Sequence, residues 1–112
     1  MLNKFSIQYL EEAVDFLQSI DKKANKKILY NIDKAKEEND PKLFKKLNGN
    51  IWEFRTLYNG LQYRLLAFWD KTEDIDTLVI ATHGFIKKTD RVPSKEIEKT
   101  EKIRTLYFEE KE

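Results

Sequence analysis

A chain of 112 residues is long enough for one domain with a real core, and can bury about two-thirds of its unfolded surface. Its 21 basic and 20 acidic residues leave a net charge of +1, which argues against wholesale polyanion binding, and the absence of cysteine rules out disulfides and thiolate chemistry. No apolar run of membrane-spanning length and no signal-peptide pattern occurs, so the sequence places the protein in the cytoplasm.

In chain order, Asn3 to Gln8 reads as a short first strand. Leu10, Ala13, Val14, Leu17 and Ile20 then recur at helical spacing and predict an amphipathic helix over roughly residues 9–20. Asp21 suits the N-cap of a second helix, whose apolar stripe is Ala24, Ile28, Ile32 and Ala35. That helix is expected to stop near Asn39, because Pro41 disfavours helical geometry at Asp40. Pro41 can open one more helical turn, through Leu43, Phe44 and Leu47, before Asn48-Gly49-Asn50 breaks the chain.

The segment Tyr58-Asn59-Gly60-Leu61 follows, flanked by alternating aromatic and β-branched residues. Asn-Gly predicts a tight type I′ hairpin, since both residues tolerate positive φ. Alternation sends Glu53, Arg55 and Leu57 to one face and Trp52, Phe54, Thr56 and Tyr58 to the other. Charge therefore stands on a sheet face otherwise built for a core. The polar run Asp70 to Asp76 is expected to be a loop, and Thr77 to Thr82 a buried strand. A last helix is expected from Ser94, after Pro93, with Glu96 and Glu98 complementing its dipole. Its apolar positions, Ile97, Ile103, Leu106 and Tyr107, leave a gap that only Thr100 softens, which predicts weak docking. Strand, two helices, a strand meander and a helix together read as a single α+β domain over residues 1–112.

Charge is unevenly placed. Residues 42–91 hold nine cations against six carboxylates, and the acidic surplus lies in the flanks. The segment after the last expected strand, His83 to Arg91, gathers the only histidine with Lys87, Lys88, Thr89 and Arg91. Taken alone, such a segment is a partly buried strand histidine with a backbone hydrogen bond, beside a solvated loop of Lys87, Lys88 and Arg91. Arg64 changes the weighting, because it sits among Tyr63, Leu65, Leu66 and Phe68, where a charge needs a partner or a polyanionic ligand. Glu53 across the hairpin offers an ion pair to Arg64 and to Arg55, so ion pair and phosphate clamp both stay open. One histidine, no cysteine and no carboxylate pair at ligand spacing give the sequence no metal-binding pattern.

The succession Lys45-Lys46-Leu47-Asn48-Gly49, Trp52-Glu53-Phe54-Arg55, Tyr63-Arg64-Leu65-Leu66-Ala67-Phe68 and His83-Gly84-Phe85-Ile86-Lys87-Lys88-Thr89, with Pro93 and Glu96-Ile97, resembles the HigB-type, phage Gp49-like branch of the RelE/ParE toxin superfamily. It covers nearly the whole chain in the expected order. The resemblance implies two N-terminal helices packed on one face of a small, mostly antiparallel twisted sheet of RelE type, plus a C-terminal helix. It further implies the toxin of a type II toxin-antitoxin system: a ribosome-dependent mRNA endoribonuclease that uses no cofactor and is neutralised by a helix-turn-helix antitoxin protein. Ribosome and mRNA are the implied partners, with no membrane.

By the same resemblance, Arg64 and Lys87 or Lys88 hold the scissile phosphate, with Arg55 as a secondary contact. Lys45, Lys46, Thr89 and Arg91 complete the expected RNA-binding set. His83 ranks first for proton transfer because its ordinary pKa is near neutral, followed by a lysine with a depressed pKa, while Glu53, Thr89 and Asp90 stay open. Trp52, Trp69, Tyr58 and Tyr63 are candidates for stacking on bases, although strand aromatics are more often core. Two other functions fit the same fold: a ParE-like gyrase inhibitor without nuclease chemistry, and an inactive relative kept as an antitoxin-binding module.

Overall fold

Asn59 and Gly60 adopt φ values of 51° and 79°, the paired left-handed geometry of a type I′ turn. This turn sets the register of the two strands it joins, from Tyr58 opposite Leu61 to Trp52 opposite Ala67. The computed structural model describes residues 5–72 and 77–111. Asn3 and Lys4 of the expected first strand, and residues 73–76 of the expected loop, lie outside the described residues. The elements are β1 (Ser6–Tyr9), α1 (Glu11–Ser19), α2 (Lys22–Glu37), β2 (Phe44–Asn48), β3 (Ile51–Tyr58), β4 (Leu61–Asp70), β5 (Leu78–Lys87) and α3 (Ser94–Lys111). They form an α+β fold with one five-stranded sheet in the order β1-β5-β4-β3-β2. All neighbours are antiparallel except β1 and β5, which run parallel.

The helices α1 and α2 lie between β1 and β2, so a strand precedes the pair and the other four strands fill the middle of the chain. Their stripes meet one face of the sheet: Ala13 and Leu17 of α1 and Ala24, Ile28, Ile32 and Ala35 of α2 join Phe54, Tyr63, Leu65, Ala67, Val79 and Ala81 in one buried cluster. Leu17, Ile28, Ile32 and Phe54 are buried as their spacing requires, whereas Trp52 is only half-buried. Asn31 is also buried and donates from Nδ2 to Thr56 Oγ1 at 3.0 Å, so the polar group costs little. Gly84 permits the close approach of α1, because a Cβ there would stand 2.2 Å from Cδ2 of Phe16.

Of three further expectations, one holds in position and two need correction. Asp21 stands at the N-cap position of α2, but its side chain makes no capping hydrogen bond. Pro41 does not open a helix leading into Leu47. The chain makes one turn, with the N–H groups of Leu43 and Phe44 on Asp40 O, and then enters β2. Phe44 stacks on Phe54 at 4.2 Å, and a register irregularity between Lys46 and Asn48 carries Leu47 inward; the resulting three-residue spacing of Phe44 and Leu47 mimics a helix. The third concerns β5, which continues through His83 to Lys87 rather than ending at Thr82. A bulge lets it continue: Ala81 pairs with Ala67 and His83 with Leu66, leaving Thr82 as the extra residue.

The second sheet face carries α3. Thr82 and His83 both turn towards it, with Thr82 Oγ1 at 3.3 Å from Thr100 Oγ1 and His83 Nε2 at 3.0 Å from Glu96 Oε1. Farther along, the Tyr107 hydroxyl donates to Asp70 Oδ2 at 2.6 Å, and Phe68 meets the rings of Tyr107 and Phe108. Thr100 is the single fully buried residue among those of α3 that are described, so polar and aromatic anchors hold this helix rather than an apolar stripe.

Candidate functional site

The α3 side of the sheet is covered only in part. Nearer the Asn59-Gly60 turn, β3 and β4 leave a small hollow of about 250 Å³ lined by Lys42, Arg55, Thr56, Leu57, Gln62 and Arg64. Arg55 and Arg64 stand directly opposite each other across the hairpin. Like charges in that relation repel, and something must offset the repulsion. Among the described residues Glu53 supplies the carboxylate paired with both: its Oε1 lies 3.0 Å from Arg64 Nε and its Oε2 3.7 Å from Arg55 Nε. Glu53 and Arg64 are each only 3% exposed.

The fit is incomplete. Arg64 Nη2 donates to Gln62 Oε1 at 2.7 Å and Nη1 to the Tyr63 carbonyl at 3.1 Å. Arg55 Nη1 donates to the Pro41 carbonyl at 3.4 Å. Yet Arg64 Nε and Glu53 Oε1 are close without hydrogen-bond alignment, and both atoms, like Arg55 Nε, are buried with no hydrogen-bond partner. Burial pushes the Arg64 guanidinium below its ordinary pKa; Glu53 opposes this and Arg55 adds to it. It stays protonated, since arginine is not deprotonated in proteins. Lys42, Arg55 and Arg64 against the carboxylate of Glu53 thus leave a net positive hollow, whose charge an additional anion would offset.

The remaining expected residues fall in different places. Lys87 pairs with Gln62 at the end of β5, which puts it on the arginine side, and its Nζ donates to the Asp90 carbonyl at 3.2 Å. Lys88 instead borders a hollow with Phe16, Ser19, Ile20 and Asp21 on the α1 side, so the adjacent lysines diverge. Thr89 donates to the Arg91 carbonyl at 2.7 Å in an exposed loop, and Arg91 itself is exposed. Lys45, opposite Glu53, shares the arginine face, whereas Lys46, opposite Trp52, lines a separate cleft at the far end of the sheet.

His83 is buried beneath α3. Its Nε2 faces Glu96, its Nδ1 lies 3.1 Å from Thr82 Oγ1, and burial pushes its pKa below the ordinary value despite the Glu96 hydrogen bond. Glu96 can only accept, so His83 donates to it from Nε2, while the Thr82 hydroxyl donates to the Leu66 carbonyl at 3.2 Å. Gln62 and Lys42 complete the hollow and were not among the expected site residues. Gln62 was readable in principle, being two residues from Arg64 on the same strand face. Lys42 reaches the hollow only through the turn after Asp40, which sequence periodicity misassigned to helix. Among the described residues, no three histidine or carboxylate side chains are placed to hold a metal ion. No helix is long and apolar enough to cross a membrane.

The family described as phage-derived protein Gp49-like matches residues 15–105, from within α1 to within α3. The chain belongs to this family. Gp49-like proteins are of the RelE/HigB type and associated with the toxins of toxin-antitoxin pairs. The matched span of this Gp49-like chain contains the opposed arginines, Glu53, His83 and both lysines. No curated protein matches it.

Proposed function

We propose that this Gp49-like protein is a toxin that cleaves mRNA on the ribosome, folds as a RelE-type domain and is neutralised by a helix-turn-helix antitoxin. The observation that carries the reading is the opposed pair Arg55 and Arg64 with a single carboxylate between them, at the uncovered end of the sheet. A scissile phosphate is the anion such a site lacks. Cleavage through the RNA's own ribose removes the proton from the 2′-hydroxyl, whose oxygen attacks phosphorus and displaces the 5′-oxygen, which leaves with a proton; a 2′,3′-cyclic phosphate remains. The guanidiniums of Arg55 and Arg64 and the Lys87 ammonium stabilise the charge that builds on the phosphorane. Lys45, Arg91 and Thr89 lie outward of them and suit contacts to flanking phosphates.

His83 acts on this site by position. With both ring nitrogens engaged and α3 above it, the ring fixes β5 beside Arg64 and reaches substrate only when its bond to Glu96 opens. The decisive experiment incubates purified protein with mRNA in the presence and absence of ribosomes. Cleavage only with ribosomes, lost in Arg64→Lys and in the double Lys87→Ala, Lys88→Ala variant while both remain folded, supports the reading. Intact mRNA together with inhibited gyrase transfers the protein to the ParE-like class, and inertness in both assays leaves an antitoxin-binding module.

A further inference from the structure

The end of the sheet opposite the Asn59-Gly60 turn frames a second, larger cleft of about 730 Å³, lined among others by Lys46, Lys71, Arg104, Trp52, Trp69 and Phe108. None of the described lining residues is acidic. Elsewhere the cations near carboxylates are paired: Lys36 with Asp33, Lys99 with Glu12, Lys111 with Asp70, and both site arginines with Glu53. Lys46, Lys71 and Arg104 form no ion pair among the described residues, and the buried Nε of Arg104 has no hydrogen-bond partner. The aromatic walls are held in place: Trp52 and Trp69 meet edge to face at 5.6 Å, Lys71 lies 5.4 Å from the Trp69 ring centre and Arg104 5.2 Å from that of Phe108.

We propose that this cleft binds a nucleotide, its base against the Trp52, Trp69 and Phe108 walls and its phosphate among Lys46, Lys71 and Arg104, supplied by single-stranded RNA or by a free mononucleotide. Flat rings suit any base, and unpaired cations beside them suit the attached phosphate. An acidic peptide would satisfy the cations and leave the rings without a flat partner. Trp69 is five residues beyond Arg64 on β4, about 17 Å along the strand, so the cleft is separate from the arginine pair and its occupancy does not rest on nuclease activity.

Trp52 and Trp69 are the only tryptophans in the chain, so intrinsic fluorescence reports on this cleft. The full chain is titrated with a short oligoadenylate, an RNA duplex of equal length, AMP and inorganic polyphosphate. Oligoadenylate quenches the fluorescence, while the duplex and polyphosphate do not, because neither offers a free base. Quenching by AMP in the same concentration range assigns a mononucleotide site, and quenching by the oligomer alone assigns an RNA strand. Lys46→Ala and Lys71→Ala, at exposed side chains, each weaken binding several-fold and lower the slope of log affinity against log salt by about 0.7. Arg104→Gln weakens it as well. No quenching by either nucleotide, quenching by polyphosphate equal to that by RNA, or binding indifferent to all three substitutions overturns the proposal. Arg64→Lys keeps the quenching even where it abolishes mRNA cleavage; its loss there, with Lys71→Ala unaffected, would move the RNA to the arginine pair and overturn this site too.

Discussion

Asp70 and Glu53 are both buried carboxylates on the α3 side of the sheet. Asp70 receives the Thr72 hydroxyl and N–H on Oδ1 and the Tyr107 hydroxyl on Oδ2, with Lys111 at 3.1 Å. Burial by itself would raise its pKa, but these donors outweigh that and hold the group well below the usual carboxylate range. Glu53 has two arginines for neighbours and no aligned donor on Oε1. One carboxylate is a finished joint between α3 and β4; the other is stretched between two cations that repel each other. The first carboxylate is satisfied within the fold, whereas the second keeps a mismatch that the proposed phosphate would relieve.

The comparison breaks most visibly at Asp70. Asp70→Ala should cost about 3–5 kcal/mol in chemical denaturation, since Tyr107, Thr72 and Lys111 are left without their shared acceptor. The depressed pKa sets the pH sense: Asp70 stabilises the fold above the unfolded carboxylate value near pH 4, and that contribution fades as pH falls towards the folded value. The variant should therefore show a shallower acid loss than the parent chain. A cost below about 1 kcal/mol would show that α3 is held by its aromatic contacts and its Glu96 and Thr100 anchors without Asp70.

At the other carboxylate the expected signs are opposite. Arg55→Ala removes a cross-strand repulsion, so stability should stay level or rise by up to about 1 kcal/mol. Cleavage of ribosome-bound mRNA should fall roughly 100- to 1000-fold, the usual loss when a donor to transition-state charge is removed. A folded, destabilised variant with full cleavage would make Arg55 a structural residue. His83 sharpens the comparison by pH. Burial lowers its folded pKa in spite of Glu96, with Lys99 acting in the same direction as burial. The unfolded chain therefore takes up a proton first as pH drops. Stability should be fully present above about pH 6.5 and decline below it until the folded value is passed, and His83→Gln should flatten this part of the profile. The smallest effect is expected at Leu57, which is 65% exposed beside the arginines: Leu57→Ser should change stability by no more than about 0.5 kcal/mol. A loss above about 1 kcal/mol would mean that this end of the sheet is covered in solution.

Local chemistry explains which parts of this architecture were legible. Asn59-Gly60, the two amphipathic stripes and the start of α3 are encoded within a few residues, and each lies where its pattern puts it. Phe44 and Leu47 were misread because a bulge in β2 gives a strand the spacing of a helix. The strand's run past Thr82 was harder to read, because the bulge at Thr82 is set by pairing with β4 and has no local signature. At the site, alternation brought Arg55, Arg64 and Glu53 to one face, but pairing partners come from tertiary contact. Nothing local announced that Lys87 and Lys88 would part to opposite sides, nor that Glu96 would claim the histidine from the helix that follows its strand.

The parallel pairing of β1 with β5 also fixes an order of events during synthesis. Ser6 stands opposite Leu78, so the first strand has no neighbour until 72 further residues have been made. At about 5–20 residues per second that interval lasts roughly 4–14 s. Throughout it, Ala13 and Leu17 of α1 lack the β5 surface on which they come to rest. A translating ribosome thus carries this chain with its oily helix side uncovered and without the finished sheet until the last strand slots between the first and the fourth.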